Sequence, residues 1–258
     1  MGTKASESGP GPFRAHQIPT GSRYELSDGH AIYCAPTGAR GSQSNLVGGA
    51  VLDSDPQVDS SGVDAGFSPE PNTLRAPDIA IGNVPNEPGW VKGVPPLAVE
   101  YADTGQDEAE LQAKIRELLD AGTRYVWVVR LVGPRRVEVH ERDAPLRLVA
   151  EGETLTAPGV LRNPVPVKAL YDRSAAHEQV LRNLLQRQGY DSLDAVRDEG
   201  KIEGKIEALL ATLEVRQIAV TEEQRTRISA CRDMETLNRW FRRAITVAGD
   251  ATEIFDSE

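Results

Sequence analysis

Cysteine, histidine and long apolar runs are all scarce in this chain of 258 residues. The two cysteines, Cys34 and Cys231, stand far apart and build neither a disulfide framework nor a zinc ribbon. A reducing, cytoplasmic setting is the simpler expectation. The four histidines (His16, His30, His140, His177) share no i,i+4 pair, which argues against a His-built zinc site. No apolar run approaches the ~20 residues that a membrane span needs, and the opening MGTKASESGPGPF lacks the apolar centre of a secretion signal. A basic arm is missing too. The formal charge is −10, and residues 1–76, 77–172 and 173–258 carry acidic excesses of 3, 4 and 3. Tight non-specific DNA binding at physiological salt is therefore not expected, and any DNA contact has to be local and transient. Also absent are a Gly-x-Gly-x-x-Gly after a strand, a phosphate-loop Gly-Lys-Ser/Thr and a Gly-x-Ser-x-Gly elbow.

What is present changes character along the chain. Residues 1–20 are rich in Gly, Ser and Pro and read as a disordered lead-in. YELSDGHAIYC (24–34) reads as a hairpin turning at Asp28-Gly29. Residues 36–75 hold clustered Gly, Ser, Asp and Pro; a structureless loop that long is unusual, so short strands are expected there. PDIAIG (77–82) and PPLAVEYAD (95–103) read as strands. Between them and the next strand, Leu111, Ile115, Leu118 and Leu119 fall on one helix face, with Gly122 as its C-cap. YVWVVRLV (125–132) is apolar enough for a strand covered on both faces, and RVEVHE (136–141) alternates, with one wet face. Strand, helix, strand in that order is a βαβ unit. The fold class is α/β over residues 21–172, followed by an all-helical C-terminal region over 173–258.

Three ionisable residues stand out by position. Asp78 starts one strand, Glu100 lies on the next, and Lys114 is on the helix that follows. Carboxylates from neighbouring strands can share a hard cation such as Mg²⁺. A nearby ammonium can orient water and stabilise charge that builds on a phosphate. Trp127 reads as core. His140 reads as a surface or satisfied histidine, and Arg135-Arg136 as a solvated turn. Trp240 and Phe241, beside Arg239, Arg242 and Arg243, read as a buried aromatic face near a helix end.

LRAPDIAIG, PPLAVEYADTG, the Lys114 helix and TRYVWVVRLVGPRRVEVHE together resemble the Uma-type family of bacterial "putative restriction endonucleases", within the PD-(D/E)XK nuclease superfamily. YELSDGHAIYCAP resembles that family's opening Tyr-Glu-Leu-x-x-Gly turn. The resemblance covers about residues 22–170. It implies a restriction-endonuclease-like mixed sheet with flanking helices and a metal-dependent endonuclease that cuts DNA with Mg²⁺ or Mn²⁺. Asp78 and Glu100 are then the metal-binding pair, and Glu25 is an additional acid near the site. The superfamily's lysine, two residues after the second acid, is here Ala102, so Lys114 is the natural replacement. Asp103 is a further candidate acid at the strand end. The departure at Ala102, together with the acidic surface, favours an alternative in which the fold is an inactive binding or assembly module acting through its helical tail.

That tail is similar to those on other PD-(D/E)XK proteins, including the recombination-promoting, transposase-associated type. Ser174 is a candidate cap for its first helix, Asp191 starts a second, and Thr221 with Gln224 has capping-box spacing. Val196, Ile202, Ile206, Leu209, Leu210 and Leu213 form an apolar stripe. Gly200 and Gly204 cost that helix about 1 kcal/mol each and permit a close backbone approach. The expectation is a homodimer through these helices, with closure inside one chain by the 221–245 helices as the alternative.

Overall fold

Strand register decides where the charged residues of this chain meet. The computed structural model describes residues 10–247, 249 and 251–255. In chain order the first elements are β1 (Tyr24–Ser27), β2 (His30–Tyr33), α1 (Ala39–Asp53), β3 (Ser61–Val63), β4 (Phe67–Ser68), β5 (Ile79–Ile81) and β6 (Val91–Lys92). There follow β7 (Leu97–Ala102), α2 (Glu108–Ala121), β8 (Tyr125–Arg130), β9 (Arg136–Glu141) and β10 (Arg147–Ala150). A small pair, β11 (Thr154–Leu155) and β12 (Val165–Pro166), leads into α3 (Arg173–Arg187). The main sheet runs β10-β9-β8-β7-β5-β3. Within it β7 and β8 are parallel and joined by α2, the βαβ unit expected from the sequence, while the other neighbours pair antiparallel. The result is a mixed six-stranded sheet with helices on both faces.

The two faces are packed differently. Leu97, Val99, Tyr101, Trp127 and Val129 join Val47 and Val51 of α1 and Ala176 of α3 in the larger core. Ala98, Ala102, Val126 and Val128 meet Leu111, Ile115 and Leu118 of α2. Asp107 caps α2 by accepting from the backbone N–H groups of Ala109 and Glu110, and Gly122 closes it at φ +117°. The wet face expected on β9 is partly closed, because Glu138 is buried and paired with Arg130 and Arg136.

Three expectations need correction. Residues 10–20 are ordered: Phe13 and Ile18 pack with Leu26, Leu74 and Trp90, and the Trp90 indole donates to the carbonyls of Ala15 and Ile18. Residues 1–9 lie outside the described residues. The 36–75 stretch holds the 15-residue helix α1 as well as short strands. Its Gly41, Gly48 and Gly49 hide the helix from a propensity reading. Gly48 is needed where it stands, since a Cβ there would run into the Tyr101 hydroxyl. Finally, the compact units are Met1–Arg187 and Gln188–Glu258, so α3 belongs with the sheet. The Asn183 side chain donates to the Val51 carbonyl, and Arg187 donates to the carbonyls of Ser54, Asp55 and Val58. Asp172, rather than Ser174, accepts from the first turn of that helix.

The second unit comprises α4 (Leu193–Val215), α5 (Glu222–Ala230), α6 (Met234–Thr246) and α7 (Thr252–Phe255). The Thr221–Gln224 capping box is present as expected. Ile206, Leu209 and Leu213 of α4 pack with Leu237, Trp240 and Ala244 of α6 and with Ile254 and Phe255. The later half of the α4 stripe is thus covered within the chain, and Trp240 is core, as read from the sequence. Around Gly200 and Gly204 there is open space, so the close approach expected of them is not made inside this unit.

Candidate active site

Val63 pairs with Ile79, and Ile79 pairs with Val99. One step along that register, Asp64, Asp78 and Glu100 stand in a row across β3, β5 and β7. Glu100 shares a strand face with Ala98 and Ala102, and that face lies under α2. Lys114 falls in the inward stripe of α2, between Leu111 and Leu118. Its ammonium lies 2.9 Å from Glu100 Oε1. It also donates to Glu25 Oε1 at 3.1 Å and to the Ala76 carbonyl at 2.7 Å. Asp78 Oδ2 accepts from the Tyr101 backbone N–H at 2.6 Å. The structure thus brings all four predicted residues together, with Lys114 as their centre.

Arg75 is one of two residues the sequence reading missed. It is 1 % exposed and ties Glu25 Oε2 at 3.2 Å to Glu110 Oε1 and Glu117 Oε2, each at 2.6 Å. Ser27 also donates to Glu117. Glu25 therefore has one oxygen on Lys114 and the other on Arg75. A lone arginine inside Leu74–Ala76 could have been flagged, since a charge between apolar neighbours needs a buried partner. Asp64 was missed because only the register brings it to the row. Asp103 is elsewhere: its carboxylate chelates the Arg40 guanidinium, which holds it well below the usual carboxylate range.

Electrostatics follow from burial and crowding. Burial, with Asp78 and Glu25 nearby, pushes Glu100 up to about 8 despite Lys114. Burial also raises Asp78, opposed by Lys114 and the Tyr101 N–H. Burial works against the charge on Lys114, yet Glu100, Glu25 and Asp78 outweigh it, so the ammonium is held above its ordinary value. Burial works against ionised Glu25 too, but Lys114 and Arg75 bring it below its ordinary value. Cys34, beside Glu25, is pushed up to about 12 by burial. It is a thiol, not a nucleophile. Burial lowers His140, whose Nε2 is enclosed without a partner.

Among the described residues no three His, Cys, Asp or Glu side chains converge closely enough to hold an ion together. The fit to a metal therefore rests on two carboxylates. Glu100 Oε1 is buried and, although close to the ammonium, takes part in no aligned hydrogen bond. An under-satisfied hard oxygen beside a second carboxylate suits Mg²⁺, which binds through one or two carboxylates and keeps several waters. The donor set fits.

Fold and site together define a nuclease-like α/β domain with a helix-borne lysine. The family described as Uma2, "Putative restriction endonuclease", matches residues 12–165, and the chain belongs to it. A crystal structure of "a putative nuclease belonging to DUF820 from Anabaena variabilis ATCC 29413" shares the fold, with a TM-score of 0.53 at 16% identity. That likeness covers 64% of this chain and 99% of that one. No curated protein matches the chain.

Proposed function

We propose that the protein is a metal-dependent endonuclease that hydrolyses phosphodiester bonds in DNA. The observation that carries this reading is the register that sets Asp78 opposite Glu100, with the Lys114 ammonium 2.9 Å from the latter. Asp78 and Glu100 would hold Mg²⁺ or Mn²⁺, which supplies a Lewis acid and an acidified water when bound. Asp78 is oriented for this by the Tyr101 N–H. Lys114 keeps its proton and can present it to a phosphate oxygen as negative charge grows there. Glu25, with both oxygens occupied, acts by positioning Lys114. Purified protein incubated with Mg²⁺ or Mn²⁺ is expected to cut supercoiled, linear or single-stranded DNA, and Asp78→Ala to lose that cutting by at least about a thousandfold. DNA left intact by the native protein under every one of those conditions overturns the reading.

The second reading, a catalytically silent module acting through its tail, is favoured by Ala102 at the strand-lysine position and by the full engagement of Lys114. Self-association through the tail belongs to either reading. Leu193 and Val196, exposed at the start of α4, support it, and a monomeric mass by light scattering at tens of micromolar would overturn it. A cytoplasmic setting suits two free cysteines, and no helix among the described residues is long and apolar enough to cross a membrane.

A further inference from the structure

The C-terminal unit contains a two-helix device that the nuclease site does not use. Helix α5 (Glu222–Ala230) is followed by three residues, Cys231, Arg232 and Asp233, and then by α6 (Met234–Thr246). Ile228 and Leu237 anchor the two helices in one core. Asp233 caps α6 by accepting from Glu235 and Thr236. The inward side of α6 is fixed by Leu237, Trp240 and Ala244. Its outward side carries a cleft lined by Glu235, Asn238, Arg239, Arg242 and Arg243.

The arginines of this unit are not all used alike. Arg216 donates to the Ala244 and Val247 carbonyls, and Arg227 lies over the Trp240 and Phe255 rings. Those two hold the unit together. Arg225, Arg239 and Arg242 are exposed, and no carboxylate among the described residues lies within ion-pair distance of them. Three guanidinium groups with no carboxylate in contact, Arg239 among them donating only to the Thr236 hydroxyl, make a local reversal of sign on a chain of net charge −10.

We propose that the outward, arginine-bearing face of α6, with α5 and the turn beside it, enters the major groove of duplex DNA. The groove admits one helix. Asn238, Arg239 and Arg242, at i, i+1 and i+4, lie on the outward face of α6, the arginines exposed and Asn238 half-buried, and are the residue types that bond adenine and guanine edges in two places at once. Glu235, one turn earlier, is an acceptor for a cytosine amino group. Arg225 on the first helix supplies a phosphate contact, while Arg232 in the turn holds the end of that helix through the Ser229 and Cys231 carbonyls. The module gives the proposed nuclease its target preference; it rests on that reading for its purpose but is tested without it.

The full-length protein is incubated in EDTA with a pool of duplexes carrying a random central segment, and retained DNA is amplified over several rounds. The native chain is expected to retain duplex and enrich a motif. Arg239→Ala with Arg242→Ala is expected to weaken duplex binding at least about tenfold, by loss of two base-edge contacts. Arg239→Lys with Arg242→Lys keeps the charge but not the fork, so affinity is largely kept and the motif changes at the positions those two residues read. No duplex retained at low salt, equal binding by the alanine variant, or a motif identical in the lysine variant each overturns the proposal. Because both positions are exposed, unchanged thermal melts are expected for the variants. Cleavage is not read, so failure here leaves the nuclease reading standing, and the converse also holds.

Discussion

Strand β7 shows two solutions to burial, one on each side of the same six residues. Leu97, Val99 and Tyr101 face the larger core, where apolar volume is filled by α1, α3 and the neighbouring strand. Ala98, Glu100 and Ala102 face α2, where two small side chains leave room for a long one to reach down from the helix. The first side is stabilised by area removed from water. The second holds charges in a place where they are costly, and it is kept only because each has a partner. A buried carboxylate that sits near 8 is the measure of that cost.

Removing the partner should break the contrast most sharply. Lys114→Met strands Glu100 and leaves Glu25 on Arg75 alone, and a loss of about 3–5 kcal/mol is expected where both are ionised. That loss should shrink at acid pH. Leu97→Ala on the opposite side should cost about 2–5 kcal/mol at every pH, from the cavity alone. Thermal melts across pH compare the two, and a pH-independent loss in Lys114→Met would count against the charge network.

Glu100 itself sets the second expectation. Its folded pKa of about 8 lies above its ordinary 4.5. The group's stabilising effect is therefore complete below about 4.5 and is lost as pH rises through about 8. Metal-free protein should fall in Tm by on the order of 5 °C across that window. Glu100→Gln, which cannot ionise, should remove the slope while also removing cleavage. A melting temperature that climbs over the same range would contradict the assignment.

The smallest effect separates two adjacent glycines on the apolar side. Gly48→Ala drives a methyl into the Tyr101 hydroxyl, which donates to the Leu170 carbonyl, at an expected loss of about 1–3 kcal/mol. Gly49→Ala meets only Val63 and Ile79 at ordinary contact distance and should gain up to about 1 kcal/mol of helix propensity. Denaturant midpoints moving in the same direction for both would mean that α1 does not approach β7 so closely.

The βαβ centre was legible because its periods are clean: alternation in β7 and β9, and a 3.6-residue stripe in α2 ended by Gly122. Asp78, Glu100, Lys114 and Glu25 were legible through motif order. Helix α1 was not, because the glycines that let it approach Tyr101 also erase its helical signature. Arg75 and Asp64 were illegible for a different reason. Their roles depend on which strands become neighbours: nothing local to Asp64 encodes that, and the apolar neighbours of Arg75 signal a buried partner without saying which. The tail's caps could be read directly, while its closure through Trp240 and Phe255 joins residues on separate helices.

The row from Asp64 to Glu100, with Glu25 and Lys114 above it, is drawn from a hairpin, three strands and a helix that are not contiguous in the chain. Helix α2 is seated partly on Val126 and Val128 of β8, which are synthesised after every one of those residues. A nascent chain, or a fragment released by proteolysis before β8, carries each charged group yet has no surface on which to gather them. A fragment ending before β8 is therefore expected to leave these charged groups unassembled.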